Sequence, residues 1–408
     1  MFYPAFSSLL LLASGIASAR PFGNNARSQN IAGAAYFMTN EPSGNNVIVN
    51  SIDYSGKLSY SHAVSTGGKG LHGNSTGGGP DGLFSQDSVK VGKNMLFVVN
   101  AGTNTVTMFK INHMNPTEIH MIGKPVSSGG EFPVSVAFSE QTNEVCVLNG
   151  GRINGVQCYW TDMIKGLIPI PNTTRSLGLN QTTPATGPPG SVSNIIFSVD
   201  GEELYVSVKG VAPTPGFIAT YKVNKADGSL SDKLVKTTPA AGGVSPFSMT
   251  LIPYTKALLA TDPAIGFGIF DFSKGSPAHS TIHPVQNQRA NCWSVLSRKT
   301  SNIYLVDPGA AAITEVHVDR KLSASVVNQY PLATGSGPLD SIIASIGGND
   351  FMYVLSANAT SVDVLAINGP GKTSHMQRLN IQSAIASSGS HVTIHSNNLQ
   401  GMATYAMH

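Results

Sequence analysis

An alternating strand pattern recurs seven times along the 408-residue chain and constrains its fold more than any other feature. Each copy alternates apolar and other residues at period two, and most copies close on Asp or Asn, as strands do at a turn. The copies end, between 46 and 62 residues apart, at Asp53, Asn112, Asp162, Asn224, Ser273, Asp319 and Asn368. A period in this range indicates a repeat architecture with one small supersecondary unit per repeat.

Each copy belongs to a longer unit of short strands. A second apolar strand precedes every copy, a third lies ahead of six of those, and a weaker fourth follows. Polar turns such as VDGEE (199–203) and RKTSN (298–302) join the strands. Four short antiparallel strands per unit of about 50 residues are typical of a propeller blade. The sequence therefore predicts an all-β fold, with residues 20–408 forming a single seven-bladed β-propeller domain.

The end of the chain supplies a strand that the first unit lacks. That unit begins at AAYFMTN (34–40) and has no innermost strand of its own. Residues 399–404 are apolar and strand-like, and they align with the inner-strand segment 246–251. We expect this segment to pair into blade one and close the ring, which removes two exposed sheet edges. The alternative is an appended edge strand.

Residues 1–19 have the pattern of a secretory signal peptide. A short apolar run, 9–12, leads into Ala17-Ser18-Ala19, which fits the A-x-A cleavage pattern, although no Lys or Arg precedes the run. No apolar run in the chain reaches the roughly 18 residues of a membrane span. We predict cleavage before Arg20, no transmembrane segment, and a protein that is secreted, extracellular or cell-wall associated.

The composition narrows the classes of partner. Charged residues make up 12% of the chain, and the net charge of +3 forms no basic stripe, so nucleic acid is not an expected partner. We expect a monomer with no cofactor and no metal, bound to a small molecule or a glycan. Glycosylation sequons fit a secreted glycoprotein, and their acceptor residues are Asn74, Asn172, Asn180 and Asn358.

Two cysteines oppose each other in a predicted hairpin, VCVLNGGRINGVQCYW (145–160). If the hairpin is centred near Arg152, Leu148 faces Val156 and Cys146 faces Cys158. Opposed thiols in a secreted protein oxidise to a disulfide if they form a non-hydrogen-bonded pair. The alternative is a pair of buried free thiols, and Cys292 has no evident partner.

Charged side chains at the blade tips are the candidate site residues, because charges are scarce in this chain. The hairpins between second and third strands lie on the same propeller face as the loops that join successive blades. The hairpins offer Arg152, Lys209, Asp262 and Asp307, and the loops offer His72, Glu131, Arg175 and Arg289. These groups can converge on the channel mouth and bind a small polar or anionic ligand. The alternative for each residue taken singly is a solvated turn residue, and Asp before Pro, as at 262–263 and 307–308, also initiates turns.

Within this set the residues receive different roles. Arg152 is the first candidate ligand holder, because its planar guanidinium suits a carboxylate or a lactone oxygen. Glu131 or Asp262 is the candidate proton-transfer partner if there is catalysis. Further ligand contacts are assigned to His72, Lys209, Arg289 and Asp307.

Several long stretches carry a family resemblance: GPDGLFSQDSVKVGKNMLFVVNAGTNTVTMF (79–109), CVLNGGRINGVQCY (146–159) and NTTRSLGLNQTTPATGPPGSVS (172–193). With the blade pattern, they resemble the lactonase-type seven-bladed propellers, which include 6-phosphogluconolactonase and the carboxymuconate cyclases. The resemblance is closer to secreted fungal proteins called 3-carboxymuconate cyclase-like, some of which are cell-surface glycoproteins.

The resemblance implies lactone chemistry of the intramolecular lyase or isomerase type, but one motif departs from it. Enzymatic relatives carry a histidine in the stretch that leads into blade two, and residues 77–91 here contain none; His72 is the nearest. Two hypotheses therefore remain. The chain is either an enzyme that opens or closes a lactone ring, or a non-catalytic extracellular glycoprotein such as an adhesin or sugar-binding module.

Overall fold

The computed structural model describes Met1, residues 30–75 and residues 78–407. Residues 2–29, with almost all of the predicted signal peptide and its cleavage point, lie outside the described residues, as do Thr76, Gly77 and His408. The described chain forms seven antiparallel four-stranded blades in chain order, two of which carry one extra short strand. The predicted seven-bladed propeller is confirmed. Within the described ranges, no helix is long and apolar enough to cross a membrane.

The blades share one strand order from the channel outwards. From blade one to blade seven, the inner strands are Gln400–Ala406, Val89–Gly92, Pro133–Phe138, Val192–Phe197, Met249–Leu251, Trp293–Leu296 and Pro338–Ile346. The second strands are Gly33–Met38, Met95–Asn100, Glu144–Asn149, Glu203–Val208, Ala257–Asp262, Asn302–Asp307 and Asn349–Ser356. The third strands are Asn46–Ile52, Thr105–Ile111, Gly155–Asp162, Phe217–Lys222, Gly266–Asp271, Ala312–Val318 and Ser361–Ile367. The outer strands are Leu58–Ser65, Ile119–Met121, Gly166–Pro169, Val235–Thr237, His279–Pro284, Ala324–Pro331 and Thr373–Asn380.

A few short elements extend this plan. Val126–Ser127 and Arg175–Ser176 add to the third strands of blades two and three. Asn74–Ser75 pairs in parallel with Thr186–Gly187, so the two long inter-blade loops touch each other. The connection between blades seven and one carries the α-helix Ile381–Ser387, and a short 3₁₀ turn spans Ala357–Ala359.

Burial follows position within the blade. Each residue of the second strand Met95–Asn100 is buried, because neighbouring blades cover both of its faces. An outer strand such as Ala324–Pro331 is mostly exposed. Strands covered on both faces read as continuous apolar runs, whereas half-exposed strands alternate. The core therefore lies between the blades, and the inner strands leave a central channel.

The end of the chain closes the ring as predicted. Gln400–Ala406 pairs antiparallel with Gly33–Met38, with Gly33 opposite Ala406 and an irregularity next to Gln400. Gly401 lies at this irregularity with φ +79°, and a Cβ there would lie 2.7 Å from Ser88 Oγ. Glycine avoids both the strain and the clash.

The predicted disulfide is also confirmed. Leu148 lies opposite Val156 and Cys146 opposite Cys158. Cys146 and Cys158 are bonded, with Cα atoms 4.0 Å apart, close to the spacing of a non-hydrogen-bonded pair. Cys292 is a free thiol.

The four predicted acceptor asparagines are on the surface. Asn74, Asn172, Asn180 and Asn358 are all exposed. Thr76, which completes the first sequon, lies outside the described residues. Exposure permits modification but does not demonstrate it, so glycosylation stays a prediction.

Removing residues 399–408 should prevent folding. Leu399 and Met402 are buried, and losing one such side chain costs roughly 2–5 kcal/mol, against a total stability of about 5–15 kcal/mol. We expect the truncated chain to be absent from the soluble fraction of expressing cells, as measured by immunoblot, whereas a chain lacking only His408 should be recovered like the parent. A soluble 399–408 deletion with an unchanged melting temperature would show that the closing strand is dispensable.

A buried carboxyl group lies against the disulfide. Glu144 is fully buried, and its Oε1 lies 3.7 Å from Cys146 Sγ. Burial raises the pKa of Glu144 from 4.5 to about 8, and the Asp227 carboxylate adds to the rise. The folded protein therefore holds a proton at neutral pH that the unfolded chain releases.

This proton makes stability depend on pH. A raised pKa in the folded state gives stability that is complete below pH 4.5 and is lost as pH rises towards 8. The loss amounts to at most about 1.4 kcal/mol per pH unit. In urea unfolding at pH 5 and pH 7.5, Glu144→Gln should lose less stability across this interval than the parent, while Glu140→Gln, exposed in the same hairpin turn, should follow the parent. Parallel curves for Glu144→Gln and the parent would mean that Glu144 is ionised in the fold.

Candidate functional site

The centre of the ring is filled by residues 81–88 from the connection between blades one and two. We call this segment the plug. Ser85 and Gln86 make its central contacts, which reach the inner strands of blades one, three, four and six. The bonds are from Gln400 Nε2 to Ser85 O (3.2 Å), Ser85 Oγ to Val134 O (2.8 Å), Gln86 N to Ser193 O (3.0 Å) and Trp293 Nε1 to Ser85 O (2.9 Å). A segment that touches blades on opposite sides of the ring must lie in the channel.

The plug is shaped by local turn chemistry. Asp81, Phe84 and Asp87 all adopt positive φ, which is rare outside glycine and tolerated best by Asp and Asn. Asp81 stabilises its own turn, since its Oδ1 accepts the Ser85 N–H at 3.2 Å. The sequence PDGLFSQD (80–87) can therefore fold back on itself and enter a narrow channel.

A cluster of ionisable groups is buried around the plug. Gln400 Nε2 lies 3.1 Å from Asp81 Oδ1 and 3.1 Å from Asp340 Oδ2. Lys209 Nζ donates to the carbonyl oxygens of Phe84 (2.7 Å) and Val192 (2.8 Å). We call Asp81, Lys209, Asp340 and Gln400 the channel cluster. Each of its members is less than one tenth exposed.

Burial shifts the pKa of each ionisable group of the cluster. It raises the pKa of Asp81, an effect that the nearby Lys209 ammonium opposes. It lowers the pKa of Lys209, an effect that Asp81 opposes. It raises the pKa of Asp340 well above its usual range, and the Asp81 carboxylate adds to that rise. Shifts of this kind bring acids and bases closer to neutral titration and are concentrated at functional sites.

Some buried polar atoms near the cluster have no hydrogen-bond partner. Asp340 Oδ1, Gln400 Oε1 and both side-chain polar atoms of Asn291 are in this state among the described residues. A buried polar group without a partner is costly, and water or a ligand commonly satisfies it.

Three of the predicted residues surround Cys292 at the mouth. Burial raises the pKa of the Cys292 thiol, and the charges of Asp81, Lys209, Asp307 and Asp262 are close enough to affect it. Only Lys209 of the predicted three projects into the channel cluster.

The two aspartates instead hold loops in place. Asp262 accepts the backbone N–H groups of Val244 (2.7 Å), Ser245 (2.9 Å) and Ala264 (3.0 Å). Asp307 accepts those of Arg289 (2.6 Å), Ala290 (3.0 Å) and Ala310 (2.8 Å). Each carboxylate therefore fixes the loop that enters the inner strand of its own blade.

His72 and Arg289 lie near the mouth with different surroundings. Both ring nitrogens of His72 lie within hydrogen-bond distance of carbonyl oxygens, those of Gly73 (2.7 Å) and Gly79 (3.0 Å). A neutral ring can donate to one of them only. The Arg289 side chain is exposed.

Arg152 and Glu131 are brought together on the tip of blade three. Arg152 Nη2 lies 3.3 Å from Glu131 Oε1, and the Arg152 side chain is 75% exposed. Thr183 Oγ1 donates to Glu131 Oε2 at 2.5 Å and accepts the Arg152 N–H at 2.9 Å. The Thr183 bond, followed by Arg152, lowers the pKa of Glu131. Among the described residues, this pair forms no hydrogen bond with the channel cluster.

Arg175 holds blades three and four together. It donates to the carbonyl oxygens of Ser231 (2.8 Å) and Leu230 (2.5 Å) and pairs with Asp232 at 3.1 Å. Arg175 and Asp232, together with Tyr221 and Lys233, line an open cleft of about 610 Å³. None of the residues that line this cleft belongs to the channel cluster.

Three members of the channel cluster were not among the sequence candidates: Asp81, Asp340 and Gln400. Asp81 lies in the stretch 79–109 that carries the family resemblance, where its place between Pro80 and Gly82 indicates only a polar turn residue. Asp340 and Gln400 lie in apolar inner strands. The sequence signal that could have identified them is a polar residue within a predicted core strand.

Glu144, Cys146 and Cys158 are the group within the described ranges whose ligand atoms lie close enough together for a metal ion. The disulfide occupies both sulfur atoms, so neither can act as a thiolate ligand. This group therefore does not fit a metal while it is oxidised.

Comparisons with known proteins define the fold class. No protein-family model and no curated protein sequence matches the chain. The periplasmic gluconolactonase of Pseudomonas aeruginosa has the same fold, with a TM-score of 0.66 and 16% identity over 92% of this chain and 99% of that chain. Putative 6-phosphogluconolactonases are also similar, from Bacteroides uniformis (TM-score 0.61, 12% identity, 92% and 100% covered) and Bacteroides fragilis (0.59, 11%, 92% and 98%). The chain therefore shares the seven-bladed propeller fold of these proteins.

Lys209→Met should destabilise the protein by roughly 2–5 kcal/mol, because it leaves two buried carbonyl oxygens without their hydrogen-bond donor. The carbonyl oxygens of Phe84 and Val192 lose their donor, and Asp81 loses its nearby cation. Urea unfolding measures the change. Lys165→Met, an exposed turn position, should stay within about 0.5 kcal/mol of the parent. Equal stability of Lys209→Met and the parent would mean that the ammonium does not hold the plug.

Proposed function

We propose that this protein binds a small polar or anionic ligand at the channel mouth and opens or closes a lactone ring there. The observation that carries the proposal is the channel cluster, which places two carboxyl groups with raised pKa values beside an amine with a lowered pKa. The fold shared with a gluconolactonase supports it. The proposal includes the more specific identity that the sequence suggests, namely a secreted fungal protein of the 3-carboxymuconate cyclase-like kind.

Lactone chemistry needs a proton-transfer group and a cation near the carbonyl or carboxylate oxygens. Asp81 is the favoured proton-transfer group, since three backbone N–H groups already use the oxygens of Asp262. Glu131 has a lowered pKa and so suits the role of a base but not of an acid. Lys209 and Arg152 are the favoured cations, with Arg152 exposed enough to meet an incoming ligand.

A second function is favoured by the closed state of the mouth. The plug fills the channel, and every member of the channel cluster is almost inaccessible to solvent. A propeller closed in this way can act as a non-catalytic extracellular or cell-surface glycoprotein. Its long loops, which carry three exposed acceptor asparagines, would then bind a glycan or another surface.

A substrate panel with variants separates the two functions. Purified protein is assayed for turnover of gluconolactone, 6-phosphogluconolactone and muconolactone, and the same preparation is applied to a glycan array. We expect turnover of at least one lactone, a fall in kcat of roughly 10²–10⁴-fold for Asp81→Asn and about tenfold weaker binding for Arg152→Ala.

Arg298→Ala is the matched control, because Arg298 is exposed on the opposite face of blade six. It should leave turnover unchanged. Absence of turnover together with glycan binding would replace the enzymatic function with the binding function. If a lactone is turned over and Arg152→Ala binds it as tightly as the parent, Arg152 is not part of the site.

A further inference from the structure

A second group of acid–base residues lies at the same face, where the closing segment meets blade one. His395 Nδ1 lies 2.8 Å from Glu41 Oε2, and the His395 backbone N–H donates to Glu41 Oε1 at 2.8 Å. The side chain of Glu41 is only 3% exposed, whereas that of His395 is 64% exposed. A buried carboxylate thus holds an exposed imidazole.

The contact fixes the tautomer of a neutral ring. An ionised carboxylate can only accept, so Nδ1 carries the proton and Nε2 keeps the lone pair. Among the described residues no group hydrogen-bonds to Nε2. A ring oriented through one nitrogen, with the other free and exposed, is arranged as a general base is arranged in hydrolases.

His395 and Glu41 lie on segments that lead into the channel mouth. His395 precedes Gln400 of the channel cluster by five residues, and the N–H groups of Asn398 (3.0 Å) and Leu399 (3.3 Å) donate to its carbonyl oxygen in a tight turn. The Glu41 carbonyl oxygen accepts the Gly70 N–H at 2.9 Å, two residues before His72. Both partners are therefore held next to segments that enter the channel.

We propose that His395 is the general base of this protein and Glu41 its positioning residue. This inference rests on the proposed lactone chemistry and assigns to His395 the proton transfer that the proposed function assigns to Asp81, so the kcat values of His395→Gln and Asp81→Asn decide between the two residues. It also assigns the base to an exposed group, which a ligand can reach while the plug stays in place.

The step is hydrolysis of a lactone by water. His395 Nε2 takes a proton from a water molecule as the water oxygen bonds to the lactone carbonyl carbon. The ring C–O bond then breaks, and the imidazolium returns the proton to the leaving alkoxide. The products are one hydroxy acid per lactone and water consumed, with no oxidant or reductant.

A reactivity measurement tests the pair without a substrate. Diethylpyrocarbonate acylates the unprotonated nitrogen of histidine, and peptide mass spectrometry follows each site separately. His391 is the matched control, because it is exposed in the same connection and has no carboxylate partner among the described residues. We expect His395 to react at least five times faster than His391, and Glu41→Gln to remove this difference without changing the rate at His391. Equal rates at the two histidines of the parent would overturn the pair.

Turnover then tests the chemical role. His395→Gln should lower kcat by roughly 10²–10⁴-fold with KM within twofold of the parent, and His391→Gln should change neither. Glu41→Gln keeps the size of the side chain and an acceptor for the backbone N–H, so its melting temperature should stay close to that of the parent while kcat falls.

The outcomes separate this inference from the proposed function. Turnover that survives His395→Gln overturns His395 as the base while leaving the proposed function standing. A parent that turns over no lactone overturns the proposed function and this catalytic step together, and the acylation rates then decide whether His395 and Glu41 form a reactive pair at all. If Glu41→Gln has the kcat of the parent, Glu41 serves only to anchor the closing segment.

Discussion

The pairing of Gln400–Ala406 with Gly33–Met38 is the contact on which the rest of the structure depends. It gives blade one its inner strand, joins the two ends of the ring, and covers the edge that Gly33–Met38 would otherwise expose. It also delivers side chains to the mouth. Gln400 reaches two carboxyl groups of the channel cluster, the Gly401 N–H donates to Asp340 at 3.0 Å, and His395 meets Glu41. The element that completes the fold therefore completes the candidate site.

The plug explains how a channel lined by inner strands can be stable. Inner strands turn polar groups towards the axis, and without partners those groups would be costly to bury. Ser85 and Gln86 supply donors and acceptors to four blades, and Lys209 ties the plug to blade four through the Phe84 carbonyl. The same arrangement keeps Asp81 and Asp340 away from water, which raises the pKa of each carboxyl group. The plug therefore closes the channel and, by burying Asp81 and Asp340, also shifts their pKa values.

The fold could be predicted from the sequence because its signals are local and repeated. Seven alternating segments at similar spacing define the blades, and period two along one hairpin is enough to place Cys146 opposite Cys158. The candidate site depends on contacts of a different kind. Asp81 and Gln400 are 319 residues apart in sequence and 3.1 Å apart in space, and Glu41 and His395 are 354 apart. No local sequence pattern indicates contacts between residues so far apart in the chain. The sequence around His395 does not indicate the carboxylate that it contacts, because Glu41 reaches it only when the ring closes.

A comparison of equivalent positions in different blades identifies candidate functional residues better than the presence of a charge does. In blades three, five and six, the last residue of the second strand contacts the loop that enters the same blade: Asn149 donates to Ser128 O at 2.8 Å, and Asp262 and Asp307 accept backbone N–H groups. A polar residue at this position has a structural use in any blade, so Asp262 and Asp307 need no ligand to explain them. Blade four departs from the pattern, because its second strand ends at Val208, which cannot make that contact, and Lys209 follows. The ammonium of Lys209 crosses to the plug instead and stands beside Asp81. In blade four, the buried charge of Lys209, directed at the channel axis, thus replaces a polar group that stabilises a local loop in other blades. The fold of the blade itself does not require this charge, so its effect is in the channel.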